Sequence, residues 1–372
     1  MNGPVKTIAQ LFILVAVLVG LFFSAIKASD QWKEQTQQIN ASISELEQLL
    51  ESEANAETRS IISKQRDQLK ASLPTLGNLN FNYLLMSLFF YTAGLTPSGL
   101  LLHRAVQAFG YRPRVSTTLA AHMLGHVGKY VPGKALVVIL RATVLGREGV
   151  SIKAATISVF VETFLMMAVG GSIASAVLIW LPLPQWVVWL SIASAVVASI
   201  PTLPPVLSKI LVKLGGRTGR LSDSGTANEQ SFDNHSVKTN AVEIASRDLW
   251  NVFFAGWFLS ILTWLLFGLS FTCVIQAIPS PENIPNQLQL FFISTAAISL
   301  AVVVGFASLL PGGAGVRELV LAAILGIILS PSHGLLAAIL ARMVHMTSEA
   351  IMASLAWIWL RLSSSKNFLK HA

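Results

Sequence analysis

The chain has 372 residues, 53% of them hydrophobic and only 12% charged, against roughly 25% charged residues in ordinary soluble domains. That balance excludes a soluble globular protein and predicts an all-α integral membrane protein. The excess of 26 Lys+Arg over 18 Asp+Glu sits mostly in loops and tails, so it suits anionic lipid heads rather than nucleic acid; Cys273, the single cysteine, allows no intrachain disulfide.

Residues 8–26 are long enough to span and follow a lone Lys6. Their apolar run exceeds the 7 to 15 residues typical of a signal-peptide core, and no clean A-x-A site follows, which favours an uncleaved anchor over a cleaved leader. Residues 27–78 are polar, with eight acids and six bases. Ile39, Ile43, Leu46 and Leu50 recur at helical spacing, so an amphipathic helix or helical hairpin is expected there. It reads either as a docking piece for an envelope protein partner or as a solvated excursion that packs only on its own protein.

Full spans are expected at about 80–102, 153–181, 187–212, 250–277 and 335–360. With the anchor this makes about six, arranged as a polytopic helix bundle. Two hairpins, 115–147 and 289–331, interrupt them, broken at Pro132-Gly133 and at Pro311-Gly312-Gly313, where proline removes a backbone donor and glycine frees the chain. The polar stretch 215–240 has no apolar period and is read as a flexible linker, and its His235 as a solvated side chain. The expected organisation is therefore an anchor (1–26), an extracytoplasmic polar segment (27–78), a membrane domain (79–361) containing the linker, and a tail (362–372).

Basic residues orient the chain. Arg104, Arg112 and Arg114 mark one cytoplasmic loop, Lys209, Lys213, Arg217 and Arg220 another, and Arg361, Lys366 and Lys370 a cytoplasmic C-terminus. The loops near Pro182 to Gln185 and Ser280 to Pro285 carry no basic residue. Counting crossings makes the unit span–hairpin–span over about 80–181 recur upside down over about 250–360, an inverted repeat of the kind that builds a site at the membrane midplane. The membrane expected is the bacterial cytoplasmic one, crossed many times, with both termini cytoplasmic.

The chemistry concentrates at the breaks. Lys129 precedes the first break, and Lys134 and Arg141 follow it, seven residues apart on one helical face. Cations at bilayer depth cost on the order of 2.5 to 3.5 kcal/mol each on insertion scales. Three together, beside the free N–H groups of a helix start, form a seat for an anionic headgroup; snorkelling or pairing with acids is the alternative. Glu162 lies in the following span, where it can take a proton or pair with one of the lysines. In the second hairpin Arg317 and Glu318 are adjacent and so point apart, toward two partners or toward the membrane surface. The last span presents Arg342, His345 and Glu349 on one face; His345 and Glu349 could pair, leaving Arg342 free for a ligand, or all three could be structural. His122 and His126 are an i, i+4 pair without the H-E-x-x-H context of zinc sites. GHVGK lacks Walker A spacing, none of the spans or hairpins holds an aspartate, and no nucleophile is seen beside a base, so no catalytic residue, metal or cofactor is expected.

GKYVPGKALVVILR and LPGGAGVRE resemble the broken segments of the transmembrane region of lysylphosphatidylglycerol synthases, a family whose membrane part is regarded as a lipid flippase. The resemblance covers roughly 80–360 and implies that Lys134, Arg141, Arg317, Glu318 and Arg342 line a lipid path. It differs at Glu162-Thr163, where the family often has Glu-Arg. No aminoacyl-transferase domain follows residue 361, so lysine transfer is not carried over. The expected function is translocation of an anionic phospholipid or lipid-linked substrate. Its rivals are a membrane-embedded glycosyl or headgroup transferase and a non-transporting assembly partner.

Overall fold

A computed structural model describes residues 30–368 except 31, 32, 35, 53, 54, 73–77, 131–134, 182, 183, 210–245, 280–284, 309 and 330. The anchor at 8–26, the linker at 215–240 and the first Pro-Gly break, with Lys134, lie outside the described residues. Among those described the chain is all-helical. Two polar helices come first, α1 (36–52) and α2 (Ala56–Ser72), joined by an ion pair of Lys70 to Glu47 at 2.8 Å.

The membrane part follows as α3 (Phe81–Ala108), α4 (Val115–Gly125), α5 (Ala135–Gly146), α6 (Ile152–Leu178), α7 (Gln185–Ser199), α8 (204–209), α9 (Ser246–Ala277), α10 (Gln287–Ala307), α11 (Val316–Ile328) and α12 (Pro331–Phe368). Side-chain caps set several starts: Asn80 accepts from Asn82 N, Ser151 from Ala154 N, and Asn286 from Gln289 N. Each satisfies a donor that the first helical turn leaves open. Among the described residues six stretches are long and apolar enough to cross a membrane: Phe81–Ala108, Ile152–Leu178, Leu249–Ala277, Gln287–Ala307, Pro311–Ile328 and His333–Ser363. This is a multi-pass membrane protein.

Two expectations need correction. The stretch 187–212 is not one continuous helix over its described part, because α7 ends at Ser199, a 3-10 turn Ile200–Thr202 follows, and α8 is a separate short piece. Pro201, Pro204 and Pro205 lack the N–H groups that a continuing helix needs, and α7 alone reaches about 22 Å, short of a hydrocarbon core of about 30 Å. The two hairpins also differ from each other. In the first, the 11 residues of α4 and 12 of α5 reach only about 16 to 18 Å, as a re-entrant hairpin must. In the second, α10 with its 21 residues has the length of a crossing, and α11 with 13 reaches it only when counted together with the turn from Pro311.

The repeat is present in the packing. Each half reads long helix, broken hairpin, long helix: α3, α4–α5, α6, then α9, α10–α11, α12. The halves meet along α3 and α9, which run antiparallel: Asn80 N donates to the Ala277 carbonyl at 2.9 Å, and the hydroxyls of Ser87 and Ser270 lie 2.9 Å apart. Exchanging the halves maps neighbours onto neighbours, since α6 packs on α10 as α12 packs on α4, and α6 on α9 as α12 on α3. Trp264 is wholly buried between the halves and donates to the Met166 carbonyl at 2.9 Å. Exposed Trp180, Trp186 and Trp189 collect around the α6–α7 turn, the kind of position where membrane interfaces take up aromatic rings.

Helices this close need small residues between them. A Cβ on Gly268 of α9 would sit 2.7 Å from Cβ of Thr295 on α10, whereas Gly146 has nothing within 4 Å. Gly268→Ala should therefore lower unfolding stability in detergent by about 1 to 3 kcal/mol, while Gly146→Ala should be neutral or stabilising by up to about 1 kcal/mol. Equal melting temperatures for the two variants would contradict this packing.

Candidate functional site

Glu349, 1% exposed, lies mid-helix in α12 of the second half and gathers its donors from the first half. Its Oε1 accepts from the Tyr91 hydroxyl of α3 and from Lys129, which sits in the 3-10 turn His126–Tyr130 after α4. Its Oε2 accepts from the Tyr130 hydroxyl at 2.8 Å. A buried carboxylate with a cation and two hydroxyls is a satisfied one. One turn earlier His345 stacks on the Tyr91 ring, 3.9 Å between centroids, with Nε2 unpartnered. The expected His345–Glu349 pair is therefore not formed: Glu349 is taken by the first hairpin, and His345 packs as a ring.

Arg141 of α5 and Glu162 of α6 form a second buried pair, 4% and 5% exposed, through Nη1 and Oε2. Glu162 thus pairs with the arginine and, among the described residues, with no lysine. Its other oxygen lies 3.5 Å from Nδ1 of His122, whose Nε2 contacts Ser98 Oγ at 2.8 Å and His126 Nε2 at 3.1 Å. A Cβ on Gly125 of α4 would lie 2.7 Å from Cγ of Arg141, and one on Gly305 of α10 would lie 2.6 Å from Cγ of Arg317. Both hairpins use one device, a glycine on the first limb over which an arginine of the second limb lies.

At the second break the backbone is left-handed, with φ of +58° at Gly312, +66° at Gly313 and +81° at Gly315, which is why the sequence is PGGAG. This turn presents the Gly312 carbonyl to Arg342 Nη1 at 2.9 Å, and Arg342 lies 3.7 Å from Glu318 and over the Tyr130 ring. Glu318 in turn accepts from the Gly315 N–H at 2.7 Å and so caps α11. Arg342 is therefore not free for a ligand, and Glu318 braces the break.

A cavity of about 640 Å³ lies between the hairpins, its wall including Lys129, Arg141, Glu162 and Arg317 together with His122 and His126. Gly312 and Gly313 also line it, whereas Glu318, Arg342 and Glu349 stand outside its wall. Arg317 has no carboxylate within ion-pair distance among the described residues, and its buried Nε has no partner. Ile139 and Phe160 line the cavity while remaining 56% and 49% exposed, which places its mouth between α5 and α6.

A family model described as the lysylphosphatidylglycerol synthase TM region matches residues 65–348, from α2 to one residue short of Glu349. The chain belongs to the lysylphosphatidylglycerol synthase TM region family. No curated protein matches it in sequence. The match covers both breaks and every residue of the cavity wall. Tyr91 and Tyr130, two of four tyrosines in the chain, were missed as site residues in the sequence; a tyrosine inside an apolar span, needing a partner for its hydroxyl, was the available signal.

Removing one partner of a buried ion pair leaves an uncompensated charge, at a cost of about 3 to 5 kcal/mol. Arg141→Met should therefore destabilise the protein by that order, and Arg141→Met with Glu162→Gln should recover most of it, read by thermal unfolding in detergent. A double variant as unstable as the single one would argue against the pair.

Proposed function

We propose that this protein translocates an anionic phospholipid or a phosphate-bearing lipid-linked substrate across the bacterial cytoplasmic membrane. The headgroup is held in the cavity by Lys129, Arg141 and Arg317, with Lys134 added from its place beside the break. The acyl chains remain outside, in the opening between α5 and α6. Movement follows from rocking the two halves about α3 and α9, the scheme that inverted repeats support.

The observation that carries this reading is Arg317. Lys129, Arg141, Arg317 and Arg342 face only Glu162, Glu318 and Glu349, so among the described residues one positive charge has no counterpart. An uncompensated cation at membrane depth is costly, and a phosphodiester, carrying one negative charge, balances it. The mouth supports the same class of ligand. A lipid needs a site that is charged inside and open sideways to hydrocarbon, and exposed Ile139 and Phe160 give that side. Membership of the lysylphosphatidylglycerol synthase TM region family agrees with a lipid-related role. In this reading the basic loops at Arg104 to Arg114 and at Lys209 to Arg220 lie in the cytoplasm.

The test is exchange of fluorescent phosphatidylglycerol between leaflets of reconstituted vesicles, read by chemical quenching from outside. Wild type should exceed protein-free vesicles. Arg317→Gln should lower the rate by about tenfold to a hundredfold, the worth of one contact to a charged group, with the melting temperature kept. Wild-type rates in Arg317→Gln, or no exchange by the native protein, would overturn the proposal.

A further inference from the structure

Beside the cavity runs a row of groups that headgroup binding does not require, with Glu162, His122 and His126 in its wall and Glu349 just outside it. Glu162 and Glu349 come from α6 and α12, the closing helices of the two halves, and two histidines join them. Oε1 of Glu162 is 3.5 Å from His122 Nδ1, His122 Nε2 is 3.1 Å from His126 Nε2, and His126 Nδ1 is 3.9 Å from Glu349 Oε1. His122, Glu162 and Glu349 are buried, and His126 lines the cavity. Each carboxylate also holds one cation of the first hairpin, Arg141 on Glu162 and Lys129 on Glu349.

The contact between the two rings has a chemical consequence. In a hydrogen bond between two imidazole nitrogens one must donate and the other accept. If His126 is the donor, its Nδ1 is bare toward Glu349, and His122 carries its proton on Nδ1, toward Glu162. A proton leaving Glu349 binds His126 Nδ1; the His126 Nε2 proton passes to His122 Nε2; the His122 Nδ1 proton passes to Glu162. Each ring gains one proton and loses one, so neither stays charged, and the hydrogen bond between them has reversed. Ser98 Oγ, 2.8 Å from His122 Nε2, can donate or accept and so fits both states. His122 Nδ1 is a buried atom without a hydrogen-bond partner, and His126 Nδ1 stands 3.9 Å from Glu349, so each ring must move toward its carboxylate for the proton to pass.

We propose that Glu349, His126, His122 and Glu162 form a proton path linking the two halves, and that proton movement along it drives substrate movement. The coupling rests on the translocator reading above; the path itself does not. The groups facing it are few. His122 contacts Ser98 of α3, His126 and Glu162 of α6 and lies in the field of Arg141 and Lys129; His126 lies near Glu349 and in the field of Lys129, Arg141 and Arg317; Glu349 contacts Tyr91, Lys129 and Tyr130 and interacts through space with Arg317 and His345. Coupling follows from shared cations. A phosphate that draws Lys129 or Arg141 toward itself leaves a buried carboxylate without its counter-charge, and a proton then neutralises that carboxylate. Substrate entry and proton uptake become one event.

The experiment uses the full chain in phosphatidylglycerol–phosphatidylcholine vesicles with a trapped pH dye and a potassium–valinomycin potential. Native protein should carry protons above the protein-free background. His126→Gln keeps hydrogen-bonding capacity but cannot relay a proton, and should lower the flux by about tenfold or more. His122→Gln makes the same test if the first variant does not elute as a monodisperse peak. A parallel arm follows labelled phosphatidylglycerol with and without a pH gradient, each variant scored as the ratio of its own two rates. A ratio raised in wild type and near one in His126→Gln supports coupling. Proton flux in His126→Gln equal to wild type, or none in wild type, overturns the path. Lipid exchange by wild type indifferent to the gradient overturns the coupling and leaves the translocator reading standing. Flux dependent on His126 without any lipid exchange supports the path and removes that reading instead.

Discussion

A carboxylate buried to 1% exposure near the middle of a membrane helix is tolerable only if its charge is answered on the spot, and Glu349 is answered by three side chains from elsewhere in the fold. Two of them, Lys129 and Tyr130, belong to a hairpin too short to cross the bilayer. That hairpin is therefore pinned by its tip to the opposite half of the molecule. Arg342, two turns before Glu349 on the same helix, holds the other break through the Gly312 carbonyl. One face of α12 thus grips the turn that leads into the first break and the second break itself, and the cavity lies between the two hairpins.

Much of this arrangement was legible in the sequence. Pro-Gly breaks inside apolar runs, cations beside them and the shared face of Arg342, His345 and Glu349 all follow from local spacing, and the repeat followed from counting crossings. Pairings were not legible, because they depend on which helices become neighbours. His345 and Glu349 are suited to each other by spacing, yet Tyr91, 258 residues from Glu349 in the chain, is the nearer partner. Glu162 offered a choice of cations, and the glycine at Gly125 that lets Arg141 lie across α4 settled it. Length misled at 187–212, where the prolines at 201, 204 and 205 outweigh the apolar composition.

The two halves share a plan but not a task. In the first, Arg141 and Lys129 both face the cavity while holding carboxylates, so the charges that build the fold are also those nearest to a ligand. In the second, Glu318 and Arg342 brace the break from outside the cavity, and of these three charged side chains Arg317 is the one that lines it. Positive φ at three glycines is why this second turn needs a PGGAG-like sequence.

The central claim is that Lys129 and Glu349 clamp the first hairpin to the second half, and a double-mutant cycle of Lys129→Met and Glu349→Gln on unfolding free energy in bicelles measures it. Directly interacting residues couple by roughly 0.5 to 3 kcal/mol, and a buried ion pair belongs at the upper end. A coupling of about 2 kcal/mol or more is the expected result. Additive effects, with a coupling near zero, would mean that the two residues do not meet and that the cavity is held by other means.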